Sequence, residues 1–440
     1  MYFVFMREME AQREIQDGIY YDDMPFHAKH SFRSNGNSNN SFGIVFLKVS
    51  RNSAFELRQC LEGLWKVYKD LTIGYSYELE NCPFPPGGLT VLISYGPRIF
   101  ELEGITKKIP VDFKDKQFLP GKPGNPILPG SGIKYSNTKY NNVGLSEDIA
   151  LQFISESQLG TYRAIVETKK YLHKNKKPPL RLSELYTGFQ RDDGRSWLGF
   201  HDQVSNMETA KDRLDAIAIN SFYNKLLPRD YWTVNGTYLV FLRLEIDIDI
   251  WNTIDRKSQE LIVGRDKLSG APIIGVDKNG NPVTNNACPS AYKVRGFDKR
   301  FHEHPDYLKP PTLPKSTKPL TLDTQASTEI LNESHIGRAR HIDNINSKHR
   351  VSRRIFRHGF EFLEPVYNHS IIKFRLGQNF ISFQNDPSRL FFILTHPDWM
   401  GNTNFGGRSK KKMNLLSALA AGVFFVPPIE IPFPGISLFK

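Results

Sequence analysis

The sequence has few cysteines and no long apolar segment. The cysteines, Cys60, Cys82 and Cys288, are three in number, widely spaced and form no CxxC pair. This pattern predicts no disulfide framework, and it favours a reducing compartment. The longest apolar stretch, 415–428, is too short to cross a bilayer and ends in two prolines. No signal peptide is apparent at the N-terminus, so we predict a cytoplasmic protein without a membrane span.

The overall composition is that of a globular protein with an excess of positive charge. Hydrophobic residues make up 39% of the chain and aromatic residues 12%, which excludes a disordered polymer. The net charge of +12 arises from 58 basic and 46 acidic residues. This charge is compatible with an anionic ligand, nucleic acid or an acidic partner surface, and it does not choose among them.

Acidic residues are almost missing from one segment, 334–359. It contains four histidines, six arginines and Lys348, against Asp343 as its one acid. A solvated surface usually mixes both signs, so this cluster indicates an anionic or metal-containing partner. An imidazole can ligate iron, and guanidiniums can bind carboxylates such as haem propionates. A basic loop that binds nucleic acid has the same composition, so the segment alone leaves both interpretations open.

A pattern of strand, helix and strand occurs in each half of the chain. The first half contains the strand GIVFLKV (43–49), a helical segment from Ala54 to Leu71 and a strand at 88–96. The second half contains strands at 236–247 and 379–386, each followed by a helical pattern. We predict an α+β fold of two related halves, each an antiparallel sheet covered by helices. The predicted divisions are an N-terminal extension and linker (1–42), a first half (43–235) and a second half (236–440).

Three separated motifs resemble those of the dye-decolorising (DyP-type) peroxidases. They are GFHDQVSN (199–206), the segment 236–273 with its Val-Gly-Arg and Gly-Ala-Pro groups, and SHIGRAR (334–340) with RRIFRHGFEF (353–362) downstream. The resemblance implies two ferredoxin-like halves of the dimeric α+β barrel type, with haem b (iron protoporphyrin IX) in the C-terminal half. It also implies a haem peroxidase in which hydrogen peroxide oxidises bulky dyes, phenols or similar organic reductants through an oxoferryl intermediate. The alternative is a haem-binding or haem-handling protein of the same fold with little turnover.

The resemblance assigns His335 as the axial ligand of the haem iron, because it occupies the position of the family's histidine. His341 is a competitor that fits the motif less well. Gly337 stands where the family often has arginine, which leaves Arg338 and Arg340 as candidates for binding the propionates. An acid should hydrogen-bond the proximal imidazole, and both Asp386 and Asp398 are open for that role.

On the opposite side of the haem, the resemblance assigns Asp202 and Arg357 as catalytic residues. Asp202 would transfer a proton between the two peroxide oxygens, and Arg357 would stabilise the negative charge that develops. The sequence departs from the motif at Gln203, which replaces a glycine, and at Met207, which replaces a proline. The partners implied are peroxide and a reductant, with no nucleic acid; a homo-oligomer is compatible with the sequence.

Overall fold

The first half of the chain folds as strand, helix, two strands, helix and strand. The structure, a computed structural model, describes residues 41–76, 82–110, 147–191, 194–201, 226–267, 270–276, 282–284, 334–336, 355–368, 371–387 and 415–439, together with 214, 216–220, 224 and 389. The elements of the first half are β1 (Ser41–Val49), α1 (Ala54–Thr72), β2 (Thr90–Tyr95), β3 (Ile149–Ser155), α2 (Gln158–His173) and β4 (Leu180–Phe189). The helix predicted from Ala54 to Leu71 is therefore present as α1.

Each of these two helices begins at a serine whose hydroxyl accepts a backbone hydrogen bond. The Ser53 Oγ accepts from the Glu56 N–H of α1, and the Ser157 Oγ accepts from the Gly160 N–H of α2. Such caps satisfy donors that have no partner inside the helix. The buried side of α1 carries residues at helical spacing, Leu57, Leu61, Leu64 and Tyr68, which pack on the sheet. The same spacing predicted this helix from the sequence.

The second half also begins with a strand followed by a helix, and it contributes four strands to the same barrel. Its elements are β5 (Thr237–Ile246), α3 (Ile248–Asn252), α4 (Arg256–Val263), the short hairpin strands β6 (Ile273–Val276) and β7 (Pro282–Thr284), β8 (Phe356–Asn368), β9 (Ile371–Gln384) and β10 (Leu416–Val426). The predicted helix after Asp247 is two helices, because Asp255 caps a new helix at the Ser258 N–H. The helix expected from Pro387 onwards lies almost entirely outside the described residues.

Eight strands close into one antiparallel barrel in the order β1-β3-β2-β10-β5-β9-β8-β4. Each half contributes four strands to the barrel, since β6 and β7 form a separate sheet. When these four strands are counted in chain order, the fourth, first, third and second are neighbours, which is the ferredoxin-like arrangement. The edge strands of the halves then pair with each other, β2 with β10 and β4 with β8. The predicted fold class of two ferredoxin-like halves is confirmed. The division of the chain at residue 235 stays a prediction, because the strands of both halves share one barrel.

The interior of the barrel is a packed aromatic core. Alternate residues of the strands point inward, and seven of them are phenylalanines: Phe42, Phe46, Phe241, Phe356, Phe360, Phe383 and Phe424. Phe42 and Phe360 stack with ring centroids 4.4 Å apart, which joins β1 of one half to β8 of the other. Any large ligand must therefore bind outside the barrel, on a face covered by helices or loops. Of the helices that the structure describes, none has the length and apolar character to traverse a membrane.

Candidate functional site

His335 lies in a short helical turn, 334–336, that packs against the end of helix α4. Gly264 ends that helix in the left-handed conformation, with φ of 86°. A β-carbon at Gly264 would come within 3 Å of both neighbours of His335, Ser334 and Ile336. Ser334 is buried and His335 is half-buried. The close approach of these two segments therefore fixes the backbone on both sides of the candidate iron ligand.

The connection after α4 is held by a compact set of hydrogen bonds. The Arg265 Nη1 donates to the carbonyl oxygen of Gly270 at 2.7 Å, and the Asp266 N–H donates to that of Ala271 at 2.8 Å. The Ile273 N–H returns to the carbonyl oxygen of Gly264 at 2.9 Å. These contacts explain the Val-Gly-Arg and Gly-Ala-Pro groups physically, since they make a rigid platform for the turn that carries His335.

The loop that precedes Asp202 packs against the same connection. Gly199 has φ of 84°, and a β-carbon there would lie 2.5 Å from the Cε of Lys267. The Arg195 Nη1 donates to the carbonyl oxygens of Gly199 and Lys267. His201 is buried and forms a β-bridge with Arg195. The segment that contains His335 therefore packs against Gly264, and the loop that precedes Asp202 packs against Lys267. Both positions lie in the same connection after α4.

Lys267 lies in a partly desolvated environment. Its Nζ donates to the Gln259 Oε1 at 2.5 Å and lies 5.6 Å from the ring centroids of both Phe200 and Trp251. Burial lowers the pKa of the Lys267 ammonium, and the nearby Arg256 lowers it further, while Glu260 opposes the shift. The lysine is therefore an anchored component of the loop packing.

Arg357 lies on β8, in the strand pair that completes the second half of the barrel. It is half-buried and pairs with Ser382 of β9. Its neighbours Phe356 and His358 are fully buried toward the aromatic interior, so the alternation of the strand places Arg357 on the outer face. His358, although part of the same basic cluster, is a core residue. The structure thus separates two residues that composition alone grouped together.

Several predicted site residues lie outside the described residues, namely Asp202, Gln203, Met207, Arg338, Arg340, His341 and Asp398. Asp386 lies two residues after the end of β9, and the Arg389 N–H donates to its carbonyl oxygen at 3.2 Å. Sequence reasoning did not single out Arg195 or Lys267. The motif 199–206 marks the loop, but its sequence does not show which residue holds that loop in place.

The donor chemistry of the described residues fits haem better than a bare metal ion. In the described part of the chain, no group of three or more His, Cys, Asp or Glu side chains could hold a metal. Haem iron needs only one strong protein donor, because the porphyrin supplies the other four. A single half-buried histidine on a rigid platform meets that requirement.

The family model described as "Dyp-type peroxidase, C-terminal" matches residues 193–431, more than half of the chain. This chain belongs to the DyP-type peroxidase family. The match includes the Asp202 loop, the Gly264 platform, the His335 turn and Arg357. The family predicted from the three motifs is therefore confirmed.

The solved structures similar to this member of the DyP-type family share its fold at low sequence identity. DtpA from Streptomyces lividans, in an oxyferrous complex, has a TM-score of 0.61 at 17% identity and covers 95% of this chain and 100% of its own. A DyP-type peroxidase from Streptomyces coelicolor has a TM-score of 0.59 at 16% identity, covering 96% and 99%. A DypB variant from Rhodococcus jostii in complex with heme has a TM-score of 0.53 at 16% identity, covering 91% and 95%.

The similarity to curated relatives is confined to a short segment. Deferrochelatases from Escherichia coli K12 and Shigella flexneri are 30% identical over 76 residues, which is 17% of this chain. The chain spans only 18% of the length of these relatives in that match. It therefore supports the family and leaves their activity as a hypothesis for this protein.

Proposed function

We propose that this protein is a haem peroxidase that binds haem b through His335 and reduces hydrogen peroxide with electrons from an organic reductant. Bulky dyes, phenols and similar molecules are the proposed reductant class. The observation that carries the proposal is the packing of Ser334 and Ile336 on Gly264, within the segment that matches the family. This packing constrains the backbone on both sides of His335, which supports a role as axial ligand.

The proposed roles of the remaining residues follow from their chemistry. The haem iron, when bound, would take up the oxidising equivalents of the peroxide. The fixed charge of Arg357, on the outer face of β8, would stabilise negative charge on the leaving oxygen. Asp202 would carry a proton from one peroxide oxygen to the other. Arg338 and Arg340 would bind the propionates through charge-assisted hydrogen bonds.

The alternative is a haem-handling protein of the same fold with little peroxidase turnover. Two observations favour it: Gln203 replaces the motif glycine beside Asp202, and the curated relatives that are similar over 76 residues are named deferrochelatases. A glycine permits a left-handed backbone that glutamine adopts only with strain. Altered aim of Asp202 would preserve haem binding while reducing turnover.

The partners and location of the protein remain part of this proposal. Peroxide and an organic reductant are the small-molecule partners that the family implies. The cysteines are few and widely spaced, which supports a reducing compartment, so the cytoplasm is the proposed location. A homo-oligomer is compatible with the proposed activity.

The visible spectrum after haemin reconstitution tests the proposal directly. We expect a sharp Soret band in the wild type and a weakened or shifted band in His335→Ala. The matched control is His173→Ala, which removes an exposed histidine at the end of α2. A wild type that takes up no haem, or a His335→Ala variant with the wild-type spectrum, would contradict the proposal.

Turnover then separates the two candidate functions. For a peroxidase we expect peroxide-dependent oxidation of a bulky dye, reduced by at least about 100-fold in Asp202→Asn, which cannot transfer the proton. Haem uptake should remain unchanged in that variant. A haem-loaded wild type without dye oxidation would favour the haem-handling alternative.

A further inference from the structure

We propose that Arg195 is a positioning residue, whose guanidinium ties the loop leading to Asp202 onto the platform that supports His335. The inference rests on the proposed function, in which these two residues act on opposite sides of one haem. The family resemblance does not assign this role. It follows from contacts among described residues on three separate segments.

The central contact is one nitrogen of Arg195 shared between two carbonyl oxygens. The Nη1 donates to the Gly199 carbonyl at 2.7 Å and to the Lys267 carbonyl at 2.6 Å. One oxygen belongs to the loop and the other to the connection after α4. A positively charged donor makes stronger hydrogen bonds than a neutral one, so the pair forms a charged link between segments far apart in sequence.

The other end of this link is anchored to α4. The Lys267 N–H donates to the Glu260 Oε1 at 3.1 Å, while the Glu260 carbonyl accepts from the Gly264 N–H at 2.7 Å. Gly264 is the residue against which Ser334 and Ile336 pack. A continuous path therefore runs from Gly199, through Arg195, Lys267 and Glu260, to the turn that contains His335.

A second path closes the arrangement into a ring. The Lys267 Nζ donates to the Gln259 Oε1, and the Gln259 Nε2 donates to the Trp251 carbonyl oxygen at 2.9 Å. The Trp251 indole Nε1 then donates to the Leu198 carbonyl oxygen at 3.2 Å, in the same loop as Gly199. The loop is therefore held at the carbonyl oxygens of two adjacent residues, Leu198 and Gly199, which restricts its rotation.

This ring matters for Asp202 because the sequence on its C-terminal side departs from the family motif. Gln203 follows Asp202 where the family motif has glycine, whereas Gly199 precedes it in the left-handed conformation. In this proposal, the residues that Arg195 holds on the N-terminal side of Asp202 position its carboxylate. Misplacement by about 1 Å can reduce a catalysed rate by about 100-fold.

The test compares Arg195→Gln and Arg195→Lys with the wild type. The control is Arg51→Gln, which removes an arginine whose Nη1 also makes two short bonds, at 2.8 and 2.9 Å, to Glu56 in the first half of the chain. In the haem-free proteins we expect amide hydrogen exchange in the segment 196–201 to be faster by about tenfold in Arg195→Gln and unchanged in Arg51→Gln. Arg195→Lys should be intermediate, because an ammonium keeps the charge without the planar fork.

The same proteins are then loaded with haemin. We expect Arg195→Gln to keep the wild-type Soret band and haemin affinity, while its reaction with peroxide slows by about 10- to 100-fold and the pH profile of that reaction shifts. Exchange rates like those of the wild type would overturn the proposal without touching the proposed function. A parallel loss of haemin affinity would also overturn it, since the arginine would then support the whole fold. If the wild type bound no haem, the proposed function would fail, and with it the positioning role, whatever the exchange showed.

Discussion

The Cα of Gly264 faces the side chain of Ser334 so closely that a β-carbon would lie 2.7 Å from the serine Oγ. The same β-carbon would lie 2.6 Å from the Cγ1 of Ile336. His335 stands between these two residues, so its backbone is placed by a glycine in a different part of the chain. The position also requires a φ of 86°, which disfavours every residue with a side chain.

Gly264→Ala should therefore weaken haemin binding while leaving a folded barrel. The turn 334–336 would have to move away from α4, and the left-handed strain adds about 1–3 kcal/mol. We expect the haemin dissociation constant to rise about tenfold or more, measured by titration of the Soret band. Gly74→Ala is the matched control, because Gly74 also has a left-handed φ of 78° and packs against the Phe84 backbone. It should lower thermal stability without changing haemin affinity, and equal affinity in both variants would refute the explanation.

His358→Leu should not affect haem uptake, although His358 belongs to the same basic cluster as His335. Its side chain is 2% exposed, with ring centroids 4.6 Å from Phe356 and 6.3 Å from Phe383. A ligand role would require the imidazole to leave the barrel interior. We expect an unchanged Soret band per folded protein and a fall of about 1–3 kcal/mol in the free energy of unfolding. Loss of the band with intact circular dichroism would instead make His358 a competitor of His335.

The sequence predicted those elements whose packing leaves a visible pattern. Helix α1 has one buried face, and β5 is bounded by a turn, so both were recognised within two residues of their ends. Strand β3 was missed because all seven of its residues are buried, between the barrel interior on one face and the helices on the other. Its sequence therefore lacks the alternation of apolar and polar residues that predicts a strand. β4 was missed for the opposite reason, as most of its residues are half-buried or exposed.

The residues of the candidate site also divide into those that the sequence predicted and those that only the structure shows. His335, Asp202 and Arg357 could be named because motif resemblance marks positions directly. Arg195 and Lys267 could not, because their partners become neighbours only after the chain folds. Gly264 is an intermediate case. Its Val-Gly-Arg motif is visible in the sequence, but the need for glycine arises from the close approach of Ser334, which the sequence does not show.

Asp148 should make stability fall as pH rises above the ordinary titration range of aspartate. Its carboxylate is 1% exposed, accepts from the Val49 N–H at 2.7 Å and lies 3.4 Å from the Arg98 Nε. Burial is the largest influence and raises the pKa of Asp148, with Glu147 adding to the rise and Val49, Arg98 and Lys48 opposing it. The folded state therefore binds the proton more tightly than the unfolded chain, so stability is lost as pH increases from about 4 through the raised pKa.

The measurement is the free energy of unfolding of the wild type and Asp148→Asn at several pH values. The advantage of the asparagine variant over the wild type should grow with pH and then level off. Asp255→Asn serves as the control of opposite sign, because hydrogen bonds from Ser258 lower the pKa of the exposed Asp255. There the wild type should be the more stable protein at neutral pH, with its advantage lost as pH falls. An Asp148→Asn curve that followed the Asp255→Asn curve would show the assigned direction to be wrong.

Arg243 and Glu364 should contribute unequally to stability, because only the arginine is buried. Arg243 is 2% exposed, its guanidinium carbon lies 4.6 Å from the Tyr186 ring and 3.7 Å from the Phe362 ring, and it pairs with Glu364. Glu364→Ala would leave this buried charge without its carboxylate, so the free energy of unfolding should fall by about 2–3 kcal/mol, less than for a fully buried pair because Glu364 is 42% exposed.

Arg243→Met removes the charge together with its need for a partner, and should cost only about 1–2 kcal/mol, chiefly the hydrogen bond to the Asn379 Oδ1. Glu364 then remains on the surface, where water solvates it. Urea unfolding of the two single variants and the double variant of the haem-free protein measures the coupling. The double variant should be about as stable as Arg243→Met alone and more stable than Glu364→Ala. Additive losses would mean that Arg243 is not desolvated between β4 and β8, where the barrel closes through a single described residue pair, Phe189 with Glu361.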